Sequence, residues 1–287
     1  MYTASKLIAI AEAEVGYLEK KSNADLDSKT GNAGSNNYTK YARDLHAAGY
    51  YQANKNGYEW CEVFNDWCHW IASGKDAKLA QEVIFQKGLY GAGCVWSAKC
   101  YRDAGRFFTS PNVGDQIYFG TKGNETHTGI VYKVDSSKVY TIEGNTSGAS
   151  GVIANGGGVC KKSYSLTYDK IVGYGRPKYD VEPAYTQEQF IRDVQKACGA
   201  TVDGIAGPET LSKTVTLSEC KNRRHAAVKP VQMWLKELGY PEVGEADGIA
   251  GIKFTAAVCA FQKANKCWVD GEITARNKTW KKLLGMK

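Results

Sequence analysis

Apolar residues recur at helical spacing from the start of the chain. Leu7, Ile8, Ala11 and Val15 share one face and Gly16 ends the run, which predicts a helix over 5–15. A stronger stripe of Trp60, Val63, Phe64, Trp67 and Ile71 predicts a helix over 60–72 that buries this face. Two weaker helical patches follow, near 76–87 and 94–104, whereas 22–37 is rich in small, turn-forming residues and reads as loop. After Pro111-Asn112-Val113-Gly114-Asp115 the period changes to two. Segments 116–119, 129–134, 139–142 and 171–175 then read as strands. Residues 180–186, with a proline and a change of charge, predict a linker. Beyond it the pattern is helical and carries a repeat: Asp203-Gly204-Ile205-Ala206-Gly207 returns as Asp247-Gly248-Ile249-Ala250-Gly251, with a looser echo at Asp270-Gly271. The chain is thus expected to be an α+β domain over 1–179, in which N-terminal helices precede an antiparallel sheet, then the linker, then a small all-α domain over 187–287.

Composition narrows the possibilities. No apolar run approaches the ~18 residues of a membrane span, so membrane insertion is not expected. The net charge of +7 is spread along both parts of the 287-residue chain, which gives no basic patch and argues against a nucleic-acid partner. Nine cysteines are many, but an odd number cannot all pair. No Cys-x-x-Cys occurs, which disfavours a zinc ribbon or a thioredoxin motif. Free, mostly buried thiols made in a reducing compartment are the economical reading. The first residues lack the basic region, long apolar region and cleavage site of a secretory signal, so a cytoplasmic location before action is expected. Asp25 and Asp27 stand at calcium-loop spacing, but Lys29 replaces the third ligand, and a plain polar loop is favoured. Neither a metal nor a cofactor is expected. The sequence does not report an oligomeric state.

One constellation carries chemistry. Cys61 begins the predicted 60–72 helix, where free backbone N–H groups and the positive end of the dipole stabilise a thiolate and can bind an oxyanion. Cys68 lies two turns deeper beside the apolar stripe, where burial raises a thiol's pKa, so it is assigned to packing. A thiol attacking an amide needs a base. Of the four histidines, His46 and His225 sit in polar stretches read as helical, and His69 lies within the Cys68 helix. His127 alone opens a strand after a flexible turn. The next strand offers Glu143 and Asn145, either of which could orient the imidazole. Side chains alternate along strands, so His127 and Glu143 share a face only if the hairpin between them has an odd-numbered loop or a bulge.

These motifs, in order Trp60-Cys61-x-x-Phe64-x-x-Trp67-Cys68, Val113-Gly114-Asp115-Gln116-Ile117, His127-Thr128-Gly129-Ile130-Val131 and Glu143-Gly144-Asn145, resemble the CHAP family of cysteine- and histidine-dependent amidohydrolases/peptidases. The resemblance implies a papain-like, NlpC-like fold with Cys61 as nucleophile, His127 as base, Glu143 as orienting carboxylate and Asn145 as a neighbouring polar contributor. Some relatives bind calcium through acidic residues just before the cysteine. Residues 45–57 contain no Asp or Glu, so that site is not carried over. The C-terminal pattern, from Val231-Gln232 through Asp247-Gly248 and Asp270-Gly271 to Thr279-Trp280, resembles a three-helix peptidoglycan-binding module over about 229–285, with 186–217 as a diverged partial copy. Together the two resemblances imply a bacteriophage endolysin whose partner is bacterial peptidoglycan. It would cut an amide of the wall peptide as N-acetylmuramoyl-L-alanine amidase or as endopeptidase. A protein-directed papain-like protease and a non-catalytic wall-binding protein are the alternatives.

Overall fold

Thr3 opens the first helix, α1 (Ala4–Glu14), by accepting a hydrogen bond from the Lys6 N–H on its hydroxyl. The computed structural model describes residues 1–86, 91–180 and 184–287, so the end of the 76–87 helical patch and positions 181–183 of the expected linker lie outside the described residues. The chain divides into two units, Met1–Glu182 and Pro183–Lys287.

In the first unit α2 (Lys40–Ala47), α3 (Cys61–Ala72), α4 (Ala77–Val83) and α5 (Cys94–Asp103) follow α1. Six strands complete it: β1 (Phe107–Phe108), β2 (Gln116–Thr121), β3 (Asn124–Val134), β4 (Lys138–Thr146), β5 (Gly158–Ser165) and β6 (Ile171–Gly175). They form one antiparallel sheet in the order β1-β6-β2-β3-β4-β5. The α+β expectation holds. Pattern reading omitted β1 and β5. It placed His46 in a helical stretch, which is α2, and His225 in another where the structure has a turn. Strand β5 escapes because Val159, Cys160, Lys161, Lys162, Ser163 and Tyr164 show little apolar alternation. It is held instead by its ladder with β4.

Helix α3 is the centre of this unit. It packs on α1, α2, α4, β3 and β4, and every residue but Ile71 is buried. A helix enclosed on all sides cannot expose a polar face, so its polar groups find internal partners. Asp66 accepts from the Tyr51 hydroxyl (2.5 Å) and from Gln86 Nε2 (3.0 Å), and Glu62 accepts from Gln116 Nε2 (3.0 Å). Gly144 lets β4 come close to α3, since a Cβ there would stand 2.5 Å from Phe64 Cβ.

The β3–β4 hairpin resolves the parity question. Val134 pairs with Val139 and Lys133 with Tyr140 around a four-residue loop. That register alone would turn His127 and Glu143 to opposite faces. Tyr132 is bulged out, and beyond it Val131 pairs with Thr141 and Ile130 with Ile142. The shift sets Glu143 beside Gly129, where a Cβ would meet Glu143 Cγ at 2.5 Å.

The second unit contains α6 (Gln187–Cys198), α7 (Pro208–Lys213), α8 (Val228–Glu237), a single 3-10 turn (Pro241–Val243), α9 (Ile252–Ala264) and α10 (Lys278–Leu283). The repeat occurs here as three copies of one hydrogen-bonded clamp. A buried helix glutamine donates through Nε2 to an aspartate and accepts the N–H of the following glycine: Gln195 with Asp203-Gly204, Gln232 with Asp247-Gly248, and Gln262 with Asp270-Gly271. Each aspartate also accepts the N–H two residues on. All three glycines have φ between 71° and 78°, a conformation that disfavours a side chain. The loose echo at Asp270 is therefore a full structural copy. One apolar core joins Phe190, Ile191 and Val194 of α6 to Val231, Leu235, Phe254, Val258, Phe261 and Trp280. Helices α6 and α7 thus belong to the same folding unit as the expected three helices, α8 to α10.

Candidate active site

The turn entering α3 is anchored by Trp60, whose indole N–H donates to Glu19 (2.8 Å) and whose rings pack on Tyr17 and Tyr41. Trp60 offers no side-chain cap, so the first-turn amides of α3 are free of one. One of them, from Glu62, helps to lower the Cys61 pKa. Cys61 keeps 4% of its surface exposed, while Cys68 has none. Burial raises the Cys68 pKa well above that of a free thiol.

His127 lies on β3 with its ring stacked on Phe119, centroids 6.0 Å apart. Its Nε2 is 3.0 Å from Glu143 Oε2. The same carboxylate accepts from the Tyr164 hydroxyl on Oε2 (3.2 Å) and from Thr141 on Oε1 (2.5 Å). Glu143 is therefore held by three neighbours and is fully buried. Nδ1 of His127 has no partner at ordinary hydrogen-bond geometry. Cys61 and His127 each shift the proton affinity of the other.

The electrostatics favour a charge pair. The Cys61 pKa is well below the usual thiol value. Its contact with the Cys94 thiol lowers it most, burial opposes, and His127 and the Glu62 amide lower it further. Burial alone would lower the His127 pKa, but Cys61 and Glu143 outweigh it and raise it to about 9. Both shifts act in the direction of a thiolate beside an imidazolium.

His127 and Glu143 are joined by a hydrogen bond, and Cys61 is linked to His127 by electrostatics. Asn145 lies close in sequence but makes no hydrogen bond to the imidazole. It adopts a left-handed backbone (φ 55°), its Oδ1 accepts from the Gly157 N–H (3.4 Å), and its buried Nδ2 is unpartnered. The other histidines stand apart from this set. His69 bonds the Tyr2 hydroxyl and burial holds its pKa down near 3, His46 is on α2, and His225 accepts the Ala227 N–H. Asp27 is engaged by Arg43 in a two-pronged ion pair. Three residues of the site escaped sequence reasoning: Thr141, Tyr164 and Cys94. Thr141 was discoverable, being two residues from Glu143 on one strand face. Tyr164 and Cys94 carry no local signal.

Residues 53–145, a span that holds Cys61, His127, Glu143 and Asn145, match the family model of the CHAP domain, and residues 224–283 match that of the putative peptidoglycan binding domain. The chain therefore joins a CHAP domain to a C-terminal wall-binding module, the arrangement of a CHAP-family phage endolysin. The CHAP match supports a cysteine-dependent, peptidoglycan-hydrolysing activity in general. No curated protein and no solved structure matches it. No helix among the described residues is long and apolar enough to cross a membrane.

Proposed function

We propose that this protein cuts an amide bond in the peptide part of bacterial peptidoglycan, as N-acetylmuramoyl-L-alanine amidase or endopeptidase, through a papain-like Cys61–His127–Glu143 mechanism. The observation that carries the reading is the His127 Nε2–Glu143 hydrogen bond of 3.0 Å, made by a ring that also shifts the Cys61 thiol. In the proposed sequence the Cys61 thiolate attacks the amide carbonyl, and the Cys61 backbone N–H at the start of α3 receives the developing oxyanion. The His127 imidazolium then protonates the departing amine. The neutral ring next takes a proton from water, whose hydroxide equivalent cleaves the thioester. Glu143 orients the imidazole and stabilises its charge throughout, supported by Tyr164 and Thr141.

Cys61→Ser should abolish lysis of purified walls while leaving wall binding intact. Full lysis by this variant would overturn the nucleophile assignment. A 183–287 fragment should co-sediment with the same walls, and failure to do so would remove the binding role of the second unit. Mass spectrometry of the digest separates the two bond choices, since an amidase frees intact glycan from peptide and an endopeptidase leaves cut peptide on the glycan. Casein digested in parallel tests the protein-directed alternative.

A further inference from the structure

Cys94 is a second thiol at the heart of this site, and the mechanism above gives it no role. Its Sγ lies 3.6 Å from Cys61 Sγ. That is far beyond the ~2.05 Å of a disulfide, and both thiols are free. Cys94 is the first residue of α5, as Cys61 is of α3, and neither helix has a side-chain cap. Two helix N-termini therefore converge on one pair of sulfurs. The approach to Cys94 is built for closeness: Gly93 is the N-cap, and a Cβ at Gly91 would strike the Trp96 ring at 2.5 Å. The first turn of α5 is pinned from the sheet, because the Tyr118 hydroxyl donates to Ser97 Oγ, which in turn donates to the Cys94 carbonyl. With 7% of its surface exposed, Cys94 has almost no water to bond.

We infer that Cys94 is a positioning residue for the nucleophile, its S–H donating a hydrogen bond to the Cys61 thiolate and holding that sulfur ionised and aimed. A thiol is a weak donor in water, but a buried one facing an anion makes a charge-assisted bond. The direction of donation follows from the surroundings. Cys61 has His127 and a helix amide to stabilise its charge, whereas the bond to Cys61, together with burial, pushes the Cys94 pKa up and keeps its proton in place. The inference rests on Cys61 as nucleophile only for its consequence in catalysis; the coupling of the two sulfurs can be read without any lysis.

The test is the pH dependence of iodoacetamide alkylation at Cys61 in the full chain, followed peptide by peptide. Cys94→Ala should raise the alkylation midpoint by about one pH unit or more, slowing the reaction ~10-fold below the midpoint. Cys94→Ser, which keeps a donor, should restore the midpoint to near the wild-type value. The reciprocal Cys61→Ala variant should lower the midpoint for alkylation of Cys94, which keeps the test open if Cys94→Ala fails to fold. Unchanged midpoints in folded Cys94→Ala, or at Cys94 in Cys61→Ala, would reduce Cys94 to packing and overturn the inference. Lysis by Cys61→Ser would defeat the proposed function and leave the sulfur coupling untouched.

Discussion

Glu143 owes its place to a residue with no side chain. Gly129 faces it across the β3–β4 ladder, and even one methyl group there would overlap Glu143 Cγ at 2.5 Å and press on the Ile142 carbonyl at 3.0 Å. Gly129→Ala should therefore push the carboxylate off His127. We expect wall lysis to fall by about 100-fold, the size of effect that a misplacement near 1 Å produces, with roughly 1–3 kcal/mol lost from overpacking. A turbidity assay alongside a thermal melt checks both. Wild-type lysis by a folded variant would show that the placement of Glu143 does not matter. At this scale the sequence announced Cys61 through its helix start and His127 through its strand start. It left open whether Glu143 or Asn145 turns toward the ring, because two residues on one strand face are equivalent until a bulge fixes how far each reaches. Cys94 stayed hidden for a different reason. Its partner is 33 residues away, and only the packing of two helix ends brings them together.

Among the elements, α3 pays for its enclosure with two carboxyl groups one turn apart, and no ion pair links either to a cation among the described residues. Burial raises the Asp66 pKa from 3.8 to about 7, against the hydrogen bonds of Tyr51 and Gln86, and burial with the Asp66 charge pushes Glu62 up as well. A raised carboxyl pKa means that the fold prefers the protonated acid. Its contribution is intact below about pH 4 and is lost progressively as pH rises toward about 7. Asp66→Asn removes this penalty while keeping a polar group for Tyr51 and Gln86. The melting temperature of the variant relative to wild type should rise from pH 4.5 to pH 8, measured by circular dichroism. A constant difference across that range would show that Asp66 stays ionised in the fold. The sequence did reveal α3 through its apolar stripe. It could not reveal that the opposite face is also buried, since Glu62, Asn65 and Asp66 read as a solvent face until the sheet and α4 close over them. Helix α2 was legible only as a polar helical stretch around His46, without bounds, because Tyr41, Ala42 and Leu45 are its only buried residues in eight, too few to form a visible stripe.

For the whole molecule, the recognised module and the folding unit end in different places. The family match begins at residue 224, but Phe190, Ile191 and Val194 of α6 lie in the same core as α8 to α10. A fragment starting at 224 would strip these side chains from that core, each worth about 1.5–3 kcal/mol when fully buried. We expect fragment 183–287 to melt cooperatively and fragment 224–287 to melt well below it, if it folds. Equal melting temperatures would show that α6 is an accessory. The three clamps point to a further use of this unit. Glutamine and aspartate are 8 residues apart in the first and third copies and 15 apart in the second, yet the hydrogen bonds are alike. The clamp fixes its two ends and is indifferent to the length between them. The longer segment after Gln232 is thus a natural docking port for an engineer at its exposed 237–239 stretch, away from the buried Val243 of the 3-10 turn: a tag or a foreign recognition peptide spliced there would ride on a scaffold whose clamp already closes over two different lengths.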